Sequence, residues 1–511
     1  MKDDRLLLGI DIGTSSSKGV LVDLDGQVLA EQTVPHGFDI PQPGWAEQDA
    51  DAVWWRDFCT ISRGLIDAAQ IDPARIAGVA ASAIAPTMLP LDENYRALRP
   101  SILYGIDTRA GQEIDDLTAE LGADEIFART GQSLSAQSVA PKVLWYRRHQ
   151  PELFKRTRKI VTASTYLVYR LTGRFVVDNY VAPYFTPFFD VHQLSWRKDW
   201  VERICPLEWL PETLWSGQQA GAVTTKAAEE TGIPAGTPVA AGTADALAEA
   251  IAAGATEAGD LMVMYGTTLF LIQTTAAYRP HRNLWASVGI VPGSAILAAG
   301  LSTSGALLTW FRDELAHAER QRAEQEDVNA FALLSQIASG ITAGSGGLVT
   351  LPYFSGERTP INDVHAKGMI FGLSLSHSRA HLYRSLLEGI GYGLRHNIEA
   401  MAEVDARPQR LVAIGGGVQD PLWLQICSDI AGLPQDVPRQ TIGAAYGDAY
   451  LAGMAAGLFD DFAPLRNAWV RIDRRIQPNA GTKAIYDDLY HIFRDLYRDN
   501  RRNMRRLSRF T

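Results

Sequence analysis

The stretch LLLGIDIGTSSSKGVLVDLDG, residues 6–26, decides how the rest of the chain is read. Leu6–Ile12 is an apolar strand that runs into a loop of small residues, Gly13–Ser17, and a second strand follows over Lys18–Val22. The DLDG turn then leads into a third strand, Gln27–Val34. A Gly-Thr-Ser loop exposes backbone N–H groups and hydroxyls that can cradle phosphate oxygens. Gly13, Thr14 and Ser15 supply them here, and Lys18 adds a positive charge. Asp11, at the strand's end, can sit near a phosphate-bound magnesium, which takes oxygen ligands and keeps waters. Neither G-x-x-x-x-G-K-[ST] nor G-x-G-x-x-G is present. Taken alone, an ordinary β-hairpin with a small-residue turn accounts for the stretch.

The second half contains an echo. In GDLMVMYGTTLFLIQTT, residues 259–275, an apolar strand again meets Gly-Thr-Thr and an apolar strand, so Gly266 and Thr267 take the places of Gly13 and Thr14. Two such hairpins about half a chain apart suggest duplicated domains. Between them, AGTPVAAGTADALAEAIAAG (235–254) is rich in small residues and helix-prone after Asp245, a place to pass between domains. Asp245 reads either as an N-cap or as a general base at a cleft. Further on, LVAIGGGVQDPLWLQICSDIAGLP (411–434) is strand, three glycines and amphipathic helix. Gly415, Gly416 and Gly417 let a flat ligand or a phosphate approach the backbone, or simply turn a strand into a helix.

Composition narrows the classes. At 511 residues two domains are expected, with an α/β rhythm of strands and helical segments. A net charge of −10 argues against a general electrostatic grip on nucleic acid. The basic tail RDNRRNMRRLSRF reads as a helix with a solvated face. Three scattered cysteines without a C-x-x-C pair speak against a zinc cluster or disulfides and suit a reducing compartment. The opening apolar run is too short for a signal-peptide core, and no later run is long enough to span a bilayer, so a cytoplasmic location is expected. His377 and His381 are four apart, but without the glutamate of H-E-x-x-H they are not read as a zinc site. GIGYGL (389–394) lies in a helical pattern and is read as close packing.

In order along the chain these segments resemble the FGGY family of carbohydrate kinases, in the actin-like ATPase superfamily. GIDIGTSSSKGVLVD resembles its first phosphate hairpin, PGWAEQDADAVWW the segment after it, GTADALAEA its catalytic-Asp motif and YGTT its second hairpin. GERTPINDVHAKGMIFGLSLSHSRAHLYRSLLEGIGYGL (356–394) is similar to the signature of its C-terminal domain, and GGGVQDPLWLQICSDIAGLP to its adenosine segment. The resemblance implies an α/β fold of two ribonuclease-H-like domains, residues 1–246 and 247–511, with ATP and a sugar or polyol meeting in the cleft between them. It implies Asp245 as the catalytic base and Asp11 at Mg²⁺, contacting it through water. It puts Gly13, Thr14, Ser15, Lys18, Gly266, Thr267 and Gly305 at the ATP phosphates. Thr309, Gly415, Gly416 and Asp420 fall at the adenosine. A homodimer is the expected assembly, with neither nucleic acid nor membrane as partner.

The acceptor side departs from the family pattern. Where xylulokinase-like members have Met-His-Gly and glycerol kinases Arg-Glu, this chain has Ala85 and Pro86 in ASAIAPTMLPLD. Neither side chain can hydrogen-bond a polyol. The residue after the base, often Asn or Gln in the family, is Ala246, which removes another amide. Gln137 lies near a glycerol-kinase substrate position. Asp107 and Arg109 match a xylulokinase Asp and Arg, and either line the pocket or brace the next helix. A xylulose-like ketose is the expected acceptor. A superfamily ATPase, or an ATP- or sugar-binding regulator without kinase activity, is the alternative.

Overall fold

The computed structural model describes residues 3–439 and 442–510. Two seven-stranded sheets organise it. The first contains β1 (Leu6–Ile12), β2 (Ser16–Asp23), β3 (Val28–Pro35), β4 (Ile76–Ala83), β5 (Gln219–Ala222), β6 (Pro238–Ala240) and the short β7 (Thr243–Ala244). Its order is β5-β6-β4-β1-β2-β3, with β7 also on β4. The second contains β8 (Asp260–Tyr265), β9 (Leu269–Thr275), β10 (Trp285–Val288), β11 (Ala295–Leu301), β12 (Arg410–Ile414), β13 (Gln435–Pro438) and β14 (Ile472–Ile476), in the order β10-β11-β9-β8-β12-β13-β14.

The two sheets repeat one plan. In each, an antiparallel meander (β1-β2-β3; β8-β9-β11) is joined at its first strand to a parallel pair (β4, β6; β12, β13), and an antiparallel strand closes that side (β5; β14). The hairpin echo in the sequence is therefore a repeat of whole-sheet topology. β1 is buried on both faces, as the centre of a covered sheet must be. Leu6, Leu8, Ile10 and Ile12 enter one core with Phe58, Ile61 and Leu65 of α1 (Arg56–Ala69), while Leu7 enters another.

That other core lies between the sheets. It joins Leu7, Val20 and Ala80 of the first sheet to Met262, Ile272 and Ile414 of the second. Two helices fill it, α2 (Asp245–Ala252) and α7 (Ala444–Ala455). Glycines let them approach closely: a Cβ on Gly9 would lie 2.0 Å from the Ala445 carbonyl oxygen, and one on Gly447 2.0 Å from that of Ala248. The other helices used below are α3 (Gly305–Leu315), α4 (Ala330–Ser339), α5 (Arg379–Ala402), α6 (Pro421–Ala431) and α8 (Lys483–Leu507). α5 contains GIGYGL as the sequence suggests, with Gly389 against the Thr350 carbonyl and Gly391 against Ile430. α8 buries Tyr486, Tyr490 and Phe493 and leaves its arginines outside.

Candidate active site

Strand register sets the first half of the site. Asp11 pairs with Lys18 across the antiparallel β1–β2 ladder and with Ser82 across the parallel β1–β4 ladder. Side chains opposite one another share a face of the sheet, so the three project together toward α7. Ser82 Oγ lies 2.9 Å from Asp11 Oδ1 and 2.6 Å from Oδ2 of Asp448, on α7. A hydroxyl has one proton to give, so the second contact requires a proton on a carboxyl group. Asp448 carries it, because burial, then the charge of Asp11, holds its pKa well above the carboxylate range. Lys18 pairs with Glu31 at 3.0 Å and donates to the Ile442 carbonyl at 3.3 Å, spanning the two halves.

Asp245 is the first residue of α2. The cap is Ala244, which corrects the N-cap reading: the Asp245 carboxylate accepts the Ala246 N–H at 2.7 Å instead of reaching the next turn. Asp11 and Asp245 both sit above the usual carboxylate range. Burial is the main cause for each, and for Asp11 the charge of Asp245 adds to it. One turn along α2, Glu249 is pushed up to about 8 by burial and by the charges of Asp245 and Asp11, against the pull of Lys18. This is a site with more negative charge than its protein surroundings neutralise.

The second hairpin builds the nucleotide side. Its turn is locked to the start of α3, since Gly305 N–H donates to the Gly266 carbonyl at 2.9 Å and Ala306 N–H to that of Thr267 at 3.0 Å. A Cβ on Gly305 would meet the Gly266 oxygen at 2.6 Å. Gly415 has φ +89°, and a side chain there would meet the Tyr265 carbonyl at 2.7 Å. The three-glycine turn thus packs on the second hairpin. Beside it opens a cavity of about 890 Å³ whose lining includes Gly266, Thr267, Gly305, Thr309, Gly416 and Asp420. These six expected positions, drawn from three segments of sequence, share one cavity. Asp420 caps α6 through the N–H groups of Leu422 and Trp423 and accepts the Ser335 hydroxyl.

The first hairpin stands apart from that wall. Thr14 Oγ1 is 3.2 Å from the Tyr104 hydroxyl, and the charges of Asp245 and Arg358 both act on Tyr104. Ser15 lies exposed on the turn, and Gly13 closes it through an N–H donated to the Ser16 carbonyl. Ala85 and Ala246, the positions expected to face the acceptor, are partly buried against the intersheet core. Pro86, joined to Ala85 by a cis bond, is buried. Asp107 is spent internally: its carboxylate takes the Ala46 N–H at 2.7 Å and the Arg109 guanidinium at 2.7 Å. Arg109 is clamped by Glu47 and lies over the Trp45 ring. These contacts run back to the segment at residues 45–47 and not to the next helix. Gln137 accepts the Gly105 N–H through Oε1 at 3.1 Å. His381 joins Ser378 in a capping box at the start of α5, and His377 accepts the Ser374 N–H.

Sequence reading missed Ser82, Asp448, Glu249, Tyr104 and Arg358. Asp448 and Glu249 had a signal, a carboxylate within an Ala/Gly-rich helix. Ser82 had none, since only the register of β4 on β1 brings it to Asp11.

Comparison with known proteins agrees with this geometry. The model of the FGGY family of carbohydrate kinases, N-terminal domain, matches residues 6–252, and that of the C-terminal domain residues 261–456. The chain is 30% identical to the xylulose kinase of Escherichia coli (strain K12), over 96% of this chain and 98% of that one. It is also 30% identical to the autoinducer-2 kinase of Klebsiella pneumoniae subsp. pneumoniae, over 96% and 94%. The crystal structure of xylulose kinase from Rhodospirillum rubrum superposes with a TM-score of 0.91 at 33% identity, covering 98% of this chain and 100% of that one. Both sheets thus belong to the actin-like ATPase fold. The chain belongs to the FGGY family of carbohydrate kinases, phosphotransferases with an alcohol group as acceptor.

Proposed function

We propose that this protein transfers the γ-phosphoryl group of ATP to a hydroxyl of a small ketose, xylulose-like in size, with Asp245 as the base. The observation that carries it is the convergence of Asp11, Asp245, Ser82 and Asp448, in a chain whose second hairpin, α3 and three-glycine turn line one nucleotide-sized cavity. Phosphoryl transfer asks the protein mainly for alignment and charge neutralisation, with a carboxylate to take the attacking proton. The N–H groups of the two Gly-Thr turns hold phosphate oxygens from opposite sides. The adenosine enters between the Gly416 turn and α4, where Phe331 and Ser335 add a wall.

The donor set fits magnesium. It is made of oxygens, its charge is in excess, and among the described residues no group of three or more His, Cys, Asp or Glu forms a closed metal cage. One or two carboxylates with substrate phosphates are what that ion prefers. Asp11 would hold it, through water, and Asp245 would face it. When bound, Mg²⁺ neutralises charge building on the phosphate oxygens. Asp245 orients the acceptor hydroxyl and takes its proton, and closure of the halves excludes water as a competing acceptor.

A second acceptor is favoured by what the expected acceptor positions lack. Ala85, Pro86 and Ala246 have no side chain that can hydrogen-bond a polyol, and relatives named autoinducer-2 kinase match as fully as those named xylulose kinase. A coupled ADP-release assay over ketoses, alditols, aldoses and autoinducer-2 tests the reading. Stimulation by one acceptor bears it out, whereas hydrolysis indifferent to every acceptor would replace it with an ATPase. Domains meeting near residues 246–247 within α2, a homodimer, checked by light scattering, and a cytoplasmic setting belong to the same proposal. Among the described residues no helix is long and apolar enough to cross a membrane.

A further inference from the structure

At the far end of α2 from Asp245 lies a second cavity, of about 500 Å³. Its walls come from both halves of the chain: the β2–β3 turn at Asp25–Gln27, Ala252 at the end of α2, and Arg439, Tyr446, Trp469 and Arg471 from the last quarter of the chain. The two arginines are paired residues. Arg439 follows β13, Arg471 precedes β14, and the Arg439 N–H donates to the Arg471 carbonyl at 2.7 Å. Partners across an antiparallel ladder place their side chains on the same face, where like charges repel unless an anion lies between them.

Among the described lining residues the charged groups are Arg439, Arg471 and Asp25, and Asp23 acts on Tyr446 from beside the cavity together with Arg471. The floor is rigid. Tyr446 donates its hydroxyl proton to the Gly26 carbonyl at 2.7 Å, and the Trp469 indole N–H reaches the Leu24 carbonyl at 3.0 Å. Two arginines, an indole and a phenol lining one space of this size match a phosphate group carried on a small organic ring. The active site described above uses none of these residues.

We propose that this cavity binds a phosphate group, free or as a monoester, and that its occupancy is felt at the active site through α2. Asp245 and Ala252 are the first and last residues of that one helix, about 10 Å apart along its axis. A ligand that joins the β2–β3 turn to the segments after β13 and before β14 biases how the two halves sit. By linkage the affinities at the two ends must then depend on each other.

The test is titration calorimetry with inorganic phosphate and with ribose 5-phosphate, on the wild type and on Arg439→Ala/Arg471→Ala. Both arginines are exposed, and thermal melts check that the variant folds. The wild type is expected to bind one of the two with a Kd of about 1 mM or tighter, and the variant at least about tenfold more weakly. Equal affinity for both probes assigns free phosphate, and tighter binding of the ester assigns a phosphorylated metabolite. With ADP release as readout, the bound probe should change the KM for ATP or acceptor in the wild type and leave the variant unchanged. Equal Kd values in wild type and variant, or no binding of either probe, would overturn the site. Binding without any kinetic change would overturn the coupling.

Discussion

The carboxylate of Asp245 is held above its ordinary range by burial and, among the described residues, accepts a hydrogen bond from its neighbour's N–H alone, so it is poised to accept a proton rather than to stabilise a helix end. Asp245→Asn keeps the size and the hydrogen-bonding face but removes the base. Steady-state kinetics should show kcat falling by about 10²–10⁴-fold with the KM for ATP nearly unchanged. Ser82 steers Asp11, and Ser82→Ala should raise the magnesium concentration for half-maximal rate by about tenfold or more. Glu249 carries a pH signature. Its folded pKa of about 8 lies above the unfolded value, so the folded state binds the extra proton. Stability from this group is therefore present below about pH 4 and lost as the pH rises through 8. Without magnesium, the Tm of Glu249→Gln relative to wild type should climb across that window. A flat difference would show that Glu249 ionises normally.

At the scale of elements, the hairpins and the glycine turns were legible because their chemistry is local: apolar strand, small turn, apolar strand. The register between strands distant in sequence was not. Asp11 is visible in a motif, but its neighbours Ser82 and Asp448 arrive from β4 and α7; Ser82 carries no local mark, and Asp448 only that of a carboxylate within an Ala/Gly-rich helix. The sequence offered Asp107 and Arg109 a bracing role toward the next helix, but the Ala46 N–H and the Trp45 ring that they meet lie some sixty positions earlier, where no local pattern points. The repeat of sheet topology also shows where the halves diverge. Positions matching Asp11, Lys18 and Ser82 in the second sheet are Met264, Phe270 and Ile414, by the same ladders. One copy carries charge for chemistry and the other an apolar wall. The glycine contacts of α7 are the tightest part of this scaffold. Gly447→Val, driven into the Ala248 carbonyl, should lower unfolding stability by about 1–3 kcal/mol or more in urea titration.

For the whole molecule, the nucleotide cavity belongs to the second half and the Thr14–Tyr104 contact to the first. Closure of the halves over the acceptor, as proposed, would draw the two together. Small-angle scattering with a non-hydrolysable ATP analogue and the accepted ketose together should give a smaller radius of gyration than with neither. An unchanged radius would mean the halves are already closed in the free protein.

The seat of α7 on the first sheet also bears on how the chain is made. Gly9 and Gly78 form a groove that residues 445–452 fill, yet those residues leave the ribosome roughly 360 positions after β4. At about 5–20 residues per second, the amino-terminal sheet waits some tens of seconds with one face uncovered. A nascent chain of this protein is therefore exposed to chaperones and to aggregation for most of its synthesis, and its first half cannot finish folding before its last quarter emerges.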